Sequence, residues 1–408
     1  MKRLKVLVSA YACEPDKGSE PGVGWNWVNQ IARFCETWVI TRENNRNSIE
    51  AAMTKGHRPD LHFVYYDLPS WMSFWKRGPK RMHLYYLLWQ AAIWKIAREL
   101  HGREKFHLVH HITFGSIFLP TFLPMFPVPF IWGPLGGAER VPRTFRRTWR
   151  VRPRLKEAFR DLLVKTLRAN PLFLLACRKA VVIFSKTEES ACRIPVQYRA
   201  KVAVATDVGV FLHSFSGAAS GTDSQQVLMV GSLEAWRGFD LAIRAFAAVA
   251  GEFTELRLVI VGDGAERARL AQLCHGLGIE DKVLFAGKVS QAEYRDYLAE
   301  SAIVMNPCMK EGGVTVLFDA LLSGKPVICL DVAGSSQIVT DECGMRVRLS
   351  TPEVTVAGLG KALATLASDR ILRERMGEAG RILVSRQHGW DRKGEFIRRA
   401  YEGIELAL

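Results

Sequence analysis

Two carboxylates stand eight positions apart in the segment KEGGVTVLFDALLSGKPVICLD, residues 310–331: Glu311 and Asp319. Glycines between them allow the main chain to approach a phosphate closely, and a helix beginning near Val314 or Thr315 favours negative charge. The pattern predicts a diphosphate-binding loop, in which Asp319 accepts hydrogen bonds from ribose hydroxyls and Glu311 meets a sugar. Spacing alone equally allows a surface acid at Asp319 and a helix-dipole acid at Glu311.

The elements that would position these acids form two series of predicted β-strands. Each series consists of short β-branched runs separated by helical patterns, which is typical of parallel α/β sheets, whose ligands bind at the carboxyl ends of the strands. The first series covers residues 4–12, 37–42, 61–68, 106–114, 129–134 and 180–186, and the second covers 227–233, 256–264, 282–289, 302–307 and 326–331.

A length of 408 residues exceeds one ordinary hydrophobic core, which favours two domains. We predict one Rossmann-like domain over residues 1–213 and a second over 227–389. The Ser- and Gly-rich tract 214–226 has the composition of a hinge between them. Residues 390–408 have the pattern of an amphipathic helix, which we expect to pack back on the first domain.

The net charge of +15 predicts an anionic partner. Eight of the basic residues lie between Arg140 and Lys156 without any acid, and Phe145, Trp149 and Leu155 lie among them. Such a segment fits attachment to an anionic membrane surface and fits a solvated basic loop equally well.

Residues 68–94 contain a second mixture of aromatic and basic side chains. It suits lipid headgroups, while packing of the aromatics in the domain core is the favoured alternative. The aromatic residues are Trp71, Trp75, Tyr85, Tyr86 and Trp89, and the basic ones are Lys76, Arg77, Lys80 and Arg81.

Eight scattered cysteines form no CxxC pair, charged residues interrupt the apolar run at the N-terminus, and no window approaches the roughly 18 apolar residues of a membrane span. We expect a cytoplasmic protein with reduced thiols, attached peripherally to the inner face of the membrane if the basic segment binds lipid.

The acidic segment resembles a family signature. Retaining glycosyltransferases of family 4 type, with the GT-B fold, have the pattern E-x7-E followed by a helix and G-x-P-V. This chain has Glu311 and Asp319 followed by Gly324, Pro326 and Val327, so the second acid is one methylene shorter. The resemblance implies two Rossmann-like domains facing a central cleft, and an enzyme that transfers a sugar from a nucleotide diphosphate sugar.

The rest of the second half continues the resemblance. VLMVGSLEAWRGFDLAIRAF is similar to the element "GRL…KG", whose two cations neutralise the diphosphate; here Gly231 is followed by Ser232 at the Arg position, and Arg237 occupies the Lys position. The resemblance also implies that the main chain at Lys288 and Val289 faces the base, and that the main chain at Gly312 and Gly313, together with Val314 and Thr315, binds the phosphates.

The first half is similar to a bacterial polysaccharide-biosynthesis branch of the family. In ACEPDKGSEPGVGWNW, the resemblance places Gly22 and Gly24 against the donor. In HHITFGS, it implies a histidine near the transferring sugar. Neighbouring strand residues point to opposite faces, and His111 is slightly favoured over His110 because it lies nearer the strand end; a structural role is nearly as well supported for each.

The resemblance implies transfer with retention, to a saccharide or lipid-linked acceptor in bacterial cell-surface polysaccharide synthesis. No D-x-D motif occurs, so we expect neither a metal nor a cofactor beyond the donor. A nucleotide-sugar epimerase of the same architecture is one alternative. A non-enzymatic anion- or nucleic-acid-binding protein is another, but no RNA-binding module is recognisable and we expect no nucleic-acid partner.

Overall fold

The computed structural model describes residues 3–56, 58–75, 81–211, 224–311 and 314–405. Within these ranges the chain forms two compact units, each built on one parallel sheet flanked by helices. The first unit contains residues 1–138, 162–209 and 390–408, and the second contains 139–161 and 210–389. Both have the Rossmann-like arrangement that the two series of β-branched runs predicted.

The sheet of the first unit has seven parallel strands in the order β3-β2-β1-β4-β5-β6-β7. Its strands are β1 (Lys5–Ala10), β2 (Glu36–Thr41), β3 (Leu61–Tyr65), β4 (Leu108–Thr113), β5 (Phe130–Leu135), β6 (Ala180–Ser185) and β7 (Val202–Val204). Its helices are α1 (Ser19–Ile31), α2 (Arg46–Lys55), α3 (Ser70–Ser73), α4 (Met82–Glu104), α6 (Pro171–Lys179), α7 (Glu188–Ala191) and α15 (Trp390–Glu405).

The sheet of the second unit has six parallel strands in the order β10-β9-β8-β11-β12-β13. Its strands are β8 (Gln226–Val230), β9 (Arg257–Val261), β10 (Val283–Gly287), β11 (Ile303–Asn306), β12 (Val327–Leu330) and β13 (Gly344–Val347). Its helices are α8 (Phe239–Val249), α9 (Arg267–Gly276), α10 (Gln291–Glu300), α11 (Thr315–Leu322), α12 (Ala333–Ile338), α13 (Pro352–Ser368) and α14 (Arg370–Gln387). Helix α11 begins at Thr315, as predicted.

Residues 139–161 pack with the second unit, although the sequence division placed all of 1–213 in the first domain. Val141, Phe145 and Trp149 are buried in the hydrophobic core around β8 and α8. Their apolar area, rather than their position along the chain, decides which unit they join. Helix α5 (Val151–Thr166) follows them and continues across the boundary at residues 161 and 162.

The last helix, α15, belongs to the first unit and contacts α1. Trp390 and Tyr401 are buried in the core that also contains Val6 and Trp27. Helix α1 itself begins at Ser19, inside the Gly- and Pro-rich segment CEPDKGSEPGVG. Pro21 is compatible with this start because the first turn of a helix needs no N–H donor there.

The aromatic segment 68–94 is mainly part of the first unit's core. Tyr85, Tyr86 and Trp89 are buried there, so the core alternative is confirmed for these three. Trp71 is exposed, while Lys76, Arg77 and Lys80 lie outside the described residues. Within the described ranges, no helix is both long and apolar enough to cross a lipid bilayer.

Candidate functional site

The second sheet reverses its strand order beside β8: β9 and β10 lie on one side of it, and β11, β12 and β13 lie on the other. In open α/β sheets, ligands bind outside the carboxyl ends of the strands at such a point. The loop 231–238 follows β8, and the segment 307–311 follows β11. The two sequence-predicted residues Arg237 and Glu311 come from these two loops.

Arg237 and Glu311 form a bidentate ion pair. Nη1 of Arg237 donates to Oε2 of Glu311 over 2.6 Å, and Nη2 donates to Oε1 over 3.1 Å. The pair is partly shielded from water, which strengthens its electrostatic interaction. Glu311 is further fixed through its main chain, because its carbonyl accepts from Gly334 N–H over 2.8 Å. The sequence predicted both residues but not their direct contact.

Two glycines allow the loop after β8 to approach both the side chain of Arg237 and the residues that follow β11. Gly238 has φ +70°, and a Cβ there would lie 2.4 Å from the carbonyl oxygen of Pro307. A Cβ at Gly231 would lie 3.2 Å from Nη1 of Arg237. Only glycine fits the left-handed conformation at Gly238 together with this close approach of the two loops.

Trp236 and Lys310 border the ion pair, and neither was predicted from the sequence. The guanidinium carbon of Arg237 lies 4.7 Å from the ring centroid of Trp236, and Nζ of Lys310 lies 5.4 Å from it. Both distances fit cation–π contacts. Lys310 also forms an ion pair with Glu157 on α5. The excursion of residues 139–161 therefore contacts the loop that contains Glu311.

Asp319 lies in α11 and accepts a hydrogen bond from the hydroxyl of Tyr294 on α10 over 2.9 Å. Burial raises the pKa of Asp319 to about 6, and the hydrogen bond from Tyr294 acts in the opposite direction. The sequence did not predict Tyr294 because its contact with Asp319 joins two helices. The structure does not bring Asp319 into contact with Glu311 among the hydrogen bonds of the described residues.

Two buried donors near the pair have no hydrogen-bond partner among the described residues: Nε of Arg237 and Nδ2 of Asn306, at the end of β11. Buried polar groups are normally satisfied, so these two donors are available to an acceptor. A phosphate is rich in acceptor oxygens. Asn306 was not predicted, although its place at the carboxyl end of a strand was a usable signal.

The remaining predicted donor-binding residues of the second unit differ in exposure. Ser232 and Lys288 are exposed, Val289 is half-buried, and Thr315 is exposed at the first turn of α11. Val314 is buried and directly precedes that helix. Gly312 and Gly313 lie outside the described residues, so their predicted phosphate contacts stay predictions.

In the first unit, Gly22 and Gly24 are required by packing of the chain on itself. A Cβ at Gly22 would lie 2.0 Å from the carbonyl oxygen of Lys17, and one at Gly24 would lie 2.0 Å from that of Ala12. Their contact with a donor stays a prediction. Neighbouring Glu20 accepts from the N–H of Gly115 over 2.8 Å and thereby ties α1 to the loop after β4.

His110 is fully buried, and both of its ring nitrogens have partners. Nε2 lies 2.8 Å from the carbonyl oxygen of Gly133 and Nδ1 lies 2.7 Å from the hydroxyl of Tyr401. A carbonyl can only accept, so Nε2 donates to it and Nδ1 accepts from the tyrosine. Burial lowers the pKa of His110 to about 3, which keeps the ring neutral. These contacts support a structural role.

His111 is also fully buried. Its Nε2 lies 3.1 Å from the hydroxyl of Tyr86, and its Nδ1 lies 3.4 Å from Oγ of Ser9. Burial lowers its pKa to about 4. The structure thus gives neither histidine an accessible surface, and the catalytic role favoured for His111 stays a prediction.

The first unit contains a cavity of about 330 Å³ beyond the carboxyl end of β4. Its walls are mostly apolar, with a few polar groups, which is the usual character of a small-molecule site. It is lined by His83, Ser116, Phe118, Leu119, Leu163, Thr166, Leu167 and Asn170. In the described part of the chain, no three His, Cys, Asp or Glu side chains are grouped as metal ligands would be.

The segment that contains Arg237, Glu311 and Asp319 is the part of the chain that matches a known protein family. Residues 214–383 match the family of group 1 glycosyl transferases. This group 1 region also aligns with curated relatives. The lipopolysaccharide core biosynthesis glycosyltransferase LpsD of Rhizobium meliloti is 34% identical over 158 residues, which are 39% of this chain and 43% of that protein.

A second relative is the GDP-mannose-dependent alpha-(1-6)-phosphatidylinositol monomannoside mannosyltransferase of Mycobacterium tuberculosis. It is 30% identical over 162 residues, which are 38% of this chain and 41% of that protein. The chain therefore spans less than half the length of these relatives. The similarity is to glycosyltransferases in both cases.

Solved structures resemble the group 1 region together with the rest of the chain. The sucrose-phosphate synthase of Thermosynechococcus elongatus has a TM-score of 0.71 at 16% identity and covers 100% of both chains. Anabaena HepE in complex with UDP has a TM-score of 0.67 at 15% identity, covering 99% of this chain and 100% of that one. The predicted GT-B fold, with its two Rossmann-like domains, is confirmed.

Proposed function

We propose that this chain transfers a glycosyl group from a nucleotide diphosphate sugar to a saccharide or lipid-linked acceptor. The observation that supports this best is the bidentate pair of Arg237 and Glu311, which lies at the switch point of the second sheet, within the region that matches group 1 glycosyl transferases. HepE, a structural neighbour, has been solved in complex with UDP-glucose.

In the proposed reaction, the bond between the anomeric carbon and the diphosphate breaks, and its electron pair remains on the phosphate oxygen. Arg237 and the N–H groups at the start of α11 stabilise that charge. Glu311 orients the guanidinium of Arg237 and lies beside the leaving diphosphate. The acceptor hydroxyl bonds to the anomeric carbon and gives its proton to the departing phosphate on the same face.

This route retains the anomeric configuration and needs no metal, since the guanidinium and main chain take the place of a metal clamp. The absence of a D-x-D motif from the sequence supports metal independence. Neither feature requires a further cofactor. We place Asp319 at the ribose because α11 positions it one turn from the phosphate-binding end.

A lipid-linked saccharide at the inner face of a bacterial membrane is the proposed acceptor, in cell-surface polysaccharide synthesis. The names of the two curated relatives refer to lipopolysaccharide core and to a phosphatidylinositol mannoside. The net charge of +15 favours an anionic acceptor or surface. The mostly apolar cavity of the first unit is the proposed acceptor pocket.

A panel of nucleotide diphosphates and their sugars, compared by thermal shift, tests donor binding because a ligand of the folded state raises its stability. The best stabiliser is then incubated with and without a membrane-extracted acceptor fraction, with and without EDTA. Release of nucleotide diphosphate that depends on acceptor and is indifferent to EDTA supports the proposal. Conversion of the donor sugar without acceptor supports the epimerase instead, and anomeric couplings in the product's proton NMR spectrum test retention.

A further inference from the structure

Helix α5 exposes a stripe of large apolar side chains. Three of them belong to the second unit and are open to solvent: Val151 is 68% exposed, Leu155 63% and Phe159 61%. Their spacing of four and four residues places them within an arc of about 80° at about 100° per residue. We call these three residues the α5 stripe.

The opposite side of α5 contains the acids of the helix. Glu157 and Asp161 are nearly fully buried, Glu157 in its ion pair with Lys310 and Asp161 with Nη1 of Arg146 at 2.7 Å. A helix on a water-facing surface normally buries its apolar side and exposes its charges. On α5 this order is reversed, so the α5 stripe is suited to a surrounding less polar than water.

Basic side chains flank the α5 stripe. Arg152 and Lys156 lie on one edge, Arg154 lies on the other, and all three are exposed. Because both acids of the helix are buried, its exposed ionised side chains are all positive. A second copy of the same face would bring these cations together, whereas anionic lipid headgroups complement them.

We propose that α5 lies in the headgroup region of an anionic lipid membrane, with the α5 stripe inserted toward the acyl chains and the basic residues bound to headgroup phosphates. A helix of 16 residues with one apolar side and flanking Lys and Arg has the form of an interfacial helix. The proposal identifies the surface by which the chain would contact the membrane. It does not depend on the proposed transfer reaction.

The aromatic residues of the basic segment do not contribute to this surface. Phe145 and Trp149, which made the segment a membrane candidate from the sequence, are buried in the core of the second unit. The proposed membrane contact is therefore made by α5. Leu155 is the one named apolar residue of the basic segment that also belongs to the α5 stripe.

The test is flotation of the full chain with vesicles of phosphatidylcholine alone and of phosphatidylcholine mixed with phosphatidylglycerol. We expect binding to the anionic vesicles only, weakened by added salt. The double variant Leu155→Gln and Phe159→Gln should lower the partition coefficient at least about tenfold, since two apolar side chains lose their burial in lipid. Arg152→Gln with Lys156→Gln should lower it on anionic vesicles as well.

The matched control is Val354→Gln with Ile371→Gln, which also removes two exposed apolar side chains from helices of the second unit, with 58% and 77% exposure. It should float like the wild type. Thermal unfolding and thermal shift with the best-stabilising nucleotide confirm that each variant folds and binds donor, so loss of flotation is separated from failure of the proposed function. Equal flotation of the Leu155/Phe159 variant and wild type overturns the proposal. So does sedimentation showing a wild-type dimer that this variant loses, which would assign the α5 stripe to self-association.

Discussion

The guanidinium of Arg237 donates to both carboxylate oxygens of Glu311, although 74 positions separate the two residues. The sequence analysis assigned them to two separate motifs, with Arg237 predicted to bind phosphate and Glu311 predicted to contact the sugar. In the structure they form one group at the meeting point of two loops. Substitution of either residue should therefore affect the role of the other.

We expect Glu311→Gln to weaken donor binding as well as turnover, because the amide no longer holds the guanidinium of Arg237 in place. Arg237→Ala should lower kcat/KM by about 10²- to 10³-fold, since it removes the cation at the leaving diphosphate. In a double-mutant cycle, the two losses should be clearly less than additive. Nucleotide release and donor thermal shift are the measurements.

Arg237→Lys serves as the conservative control, since it keeps a cation but not the bidentate contact. It should retain more activity than Arg237→Ala. Wild-type turnover of Glu311→Gln, or strictly additive effects of the two substitutions, would contradict the coupled pair.

Asp319 should give the donor site a pH dependence. Burial raises its pKa from 3.8 to about 6. Between these values the folded chain binds more proton than the unfolded chain, so the stabilisation from this carboxyl is fully present below pH 3.8 and is lost as the pH rises through about 6. Relative to the wild type, Asp319→Asn should gain roughly 2 kcal/mol in its free energy of unfolding between pH 4 and 7.

The ionised carboxylate is the better acceptor for ribose hydroxyls, so donor affinity of the wild type should rise as the pH passes about 6. Tyr294→Phe removes the hydrogen bond that favours ionisation and should move this rise to higher pH. Donor titrations by calorimetry across the range measure both effects. A donor affinity that does not change with pH would contradict the proposed contact between Asp319 and the ribose.

Trp149 should behave as a core residue of the second unit. Trp149→Ala is expected to lower the free energy of unfolding by about 3–5 kcal/mol, because a large apolar side chain leaves a cavity. Trp71→Ala is the matched control, since Trp71 is 73% exposed, and should change stability by no more than about 0.5 kcal/mol. Urea unfolding measures the change in stability for both variants. If Trp149→Ala changed stability as little as Trp71→Ala, the interpretation of residues 139–161 as a solvated loop would be favoured instead.

His110 and His111 should remain neutral well below the ordinary histidine range. Burial lowers their pKa values to about 3 and about 4. Stabilisation by the two neutral rings is present above pH 6.5 and is lost as the pH falls toward these values. Nitrogen-15 NMR of the imidazoles should show neither ring titrating between pH 5 and 8. Titration of His111 near pH 7 would instead favour its catalytic assignment.

Much of the fold could be predicted because strand positions follow from local pattern. Each of the eleven apolar runs overlaps a strand, and α11 begins at Thr315, shortly after the glycines in the sequence. The short edge strands β7 and β13 were not predicted, since three or four half-buried residues give little periodic signal.

The site was only partly predictable for a different reason. Glu311, Asp319 and Arg237 belong to local motifs. Trp236 and Lys310 neighbour two of them in the chain, but the contact of Lys310 with Trp236 joins two loops and that of Tyr294 with Asp319 joins two helices, so both depend on packing between distant elements. Residues 139–161 were assigned to the wrong unit because periodicity shows that side chains are apolar and not which core accepts them. On α5, the acids are buried and the apolar residues are exposed. The sequence could not predict this placement, because it depends on the ion pairs of Glu157 with Lys310 and of Asp161 with Arg146.

The excursion of residues 139–161 has a consequence for protein engineering. Its Glu157 contacts Lys310 and its Trp149 fills the core of the second unit, so that unit is assembled from two separate stretches of the gene. A chimera joined at position 210 would combine residues 210–389 with a foreign segment in place of 139–161. Exchange of the proposed donor specificity with a related chain should therefore succeed only when both stretches are transplanted together.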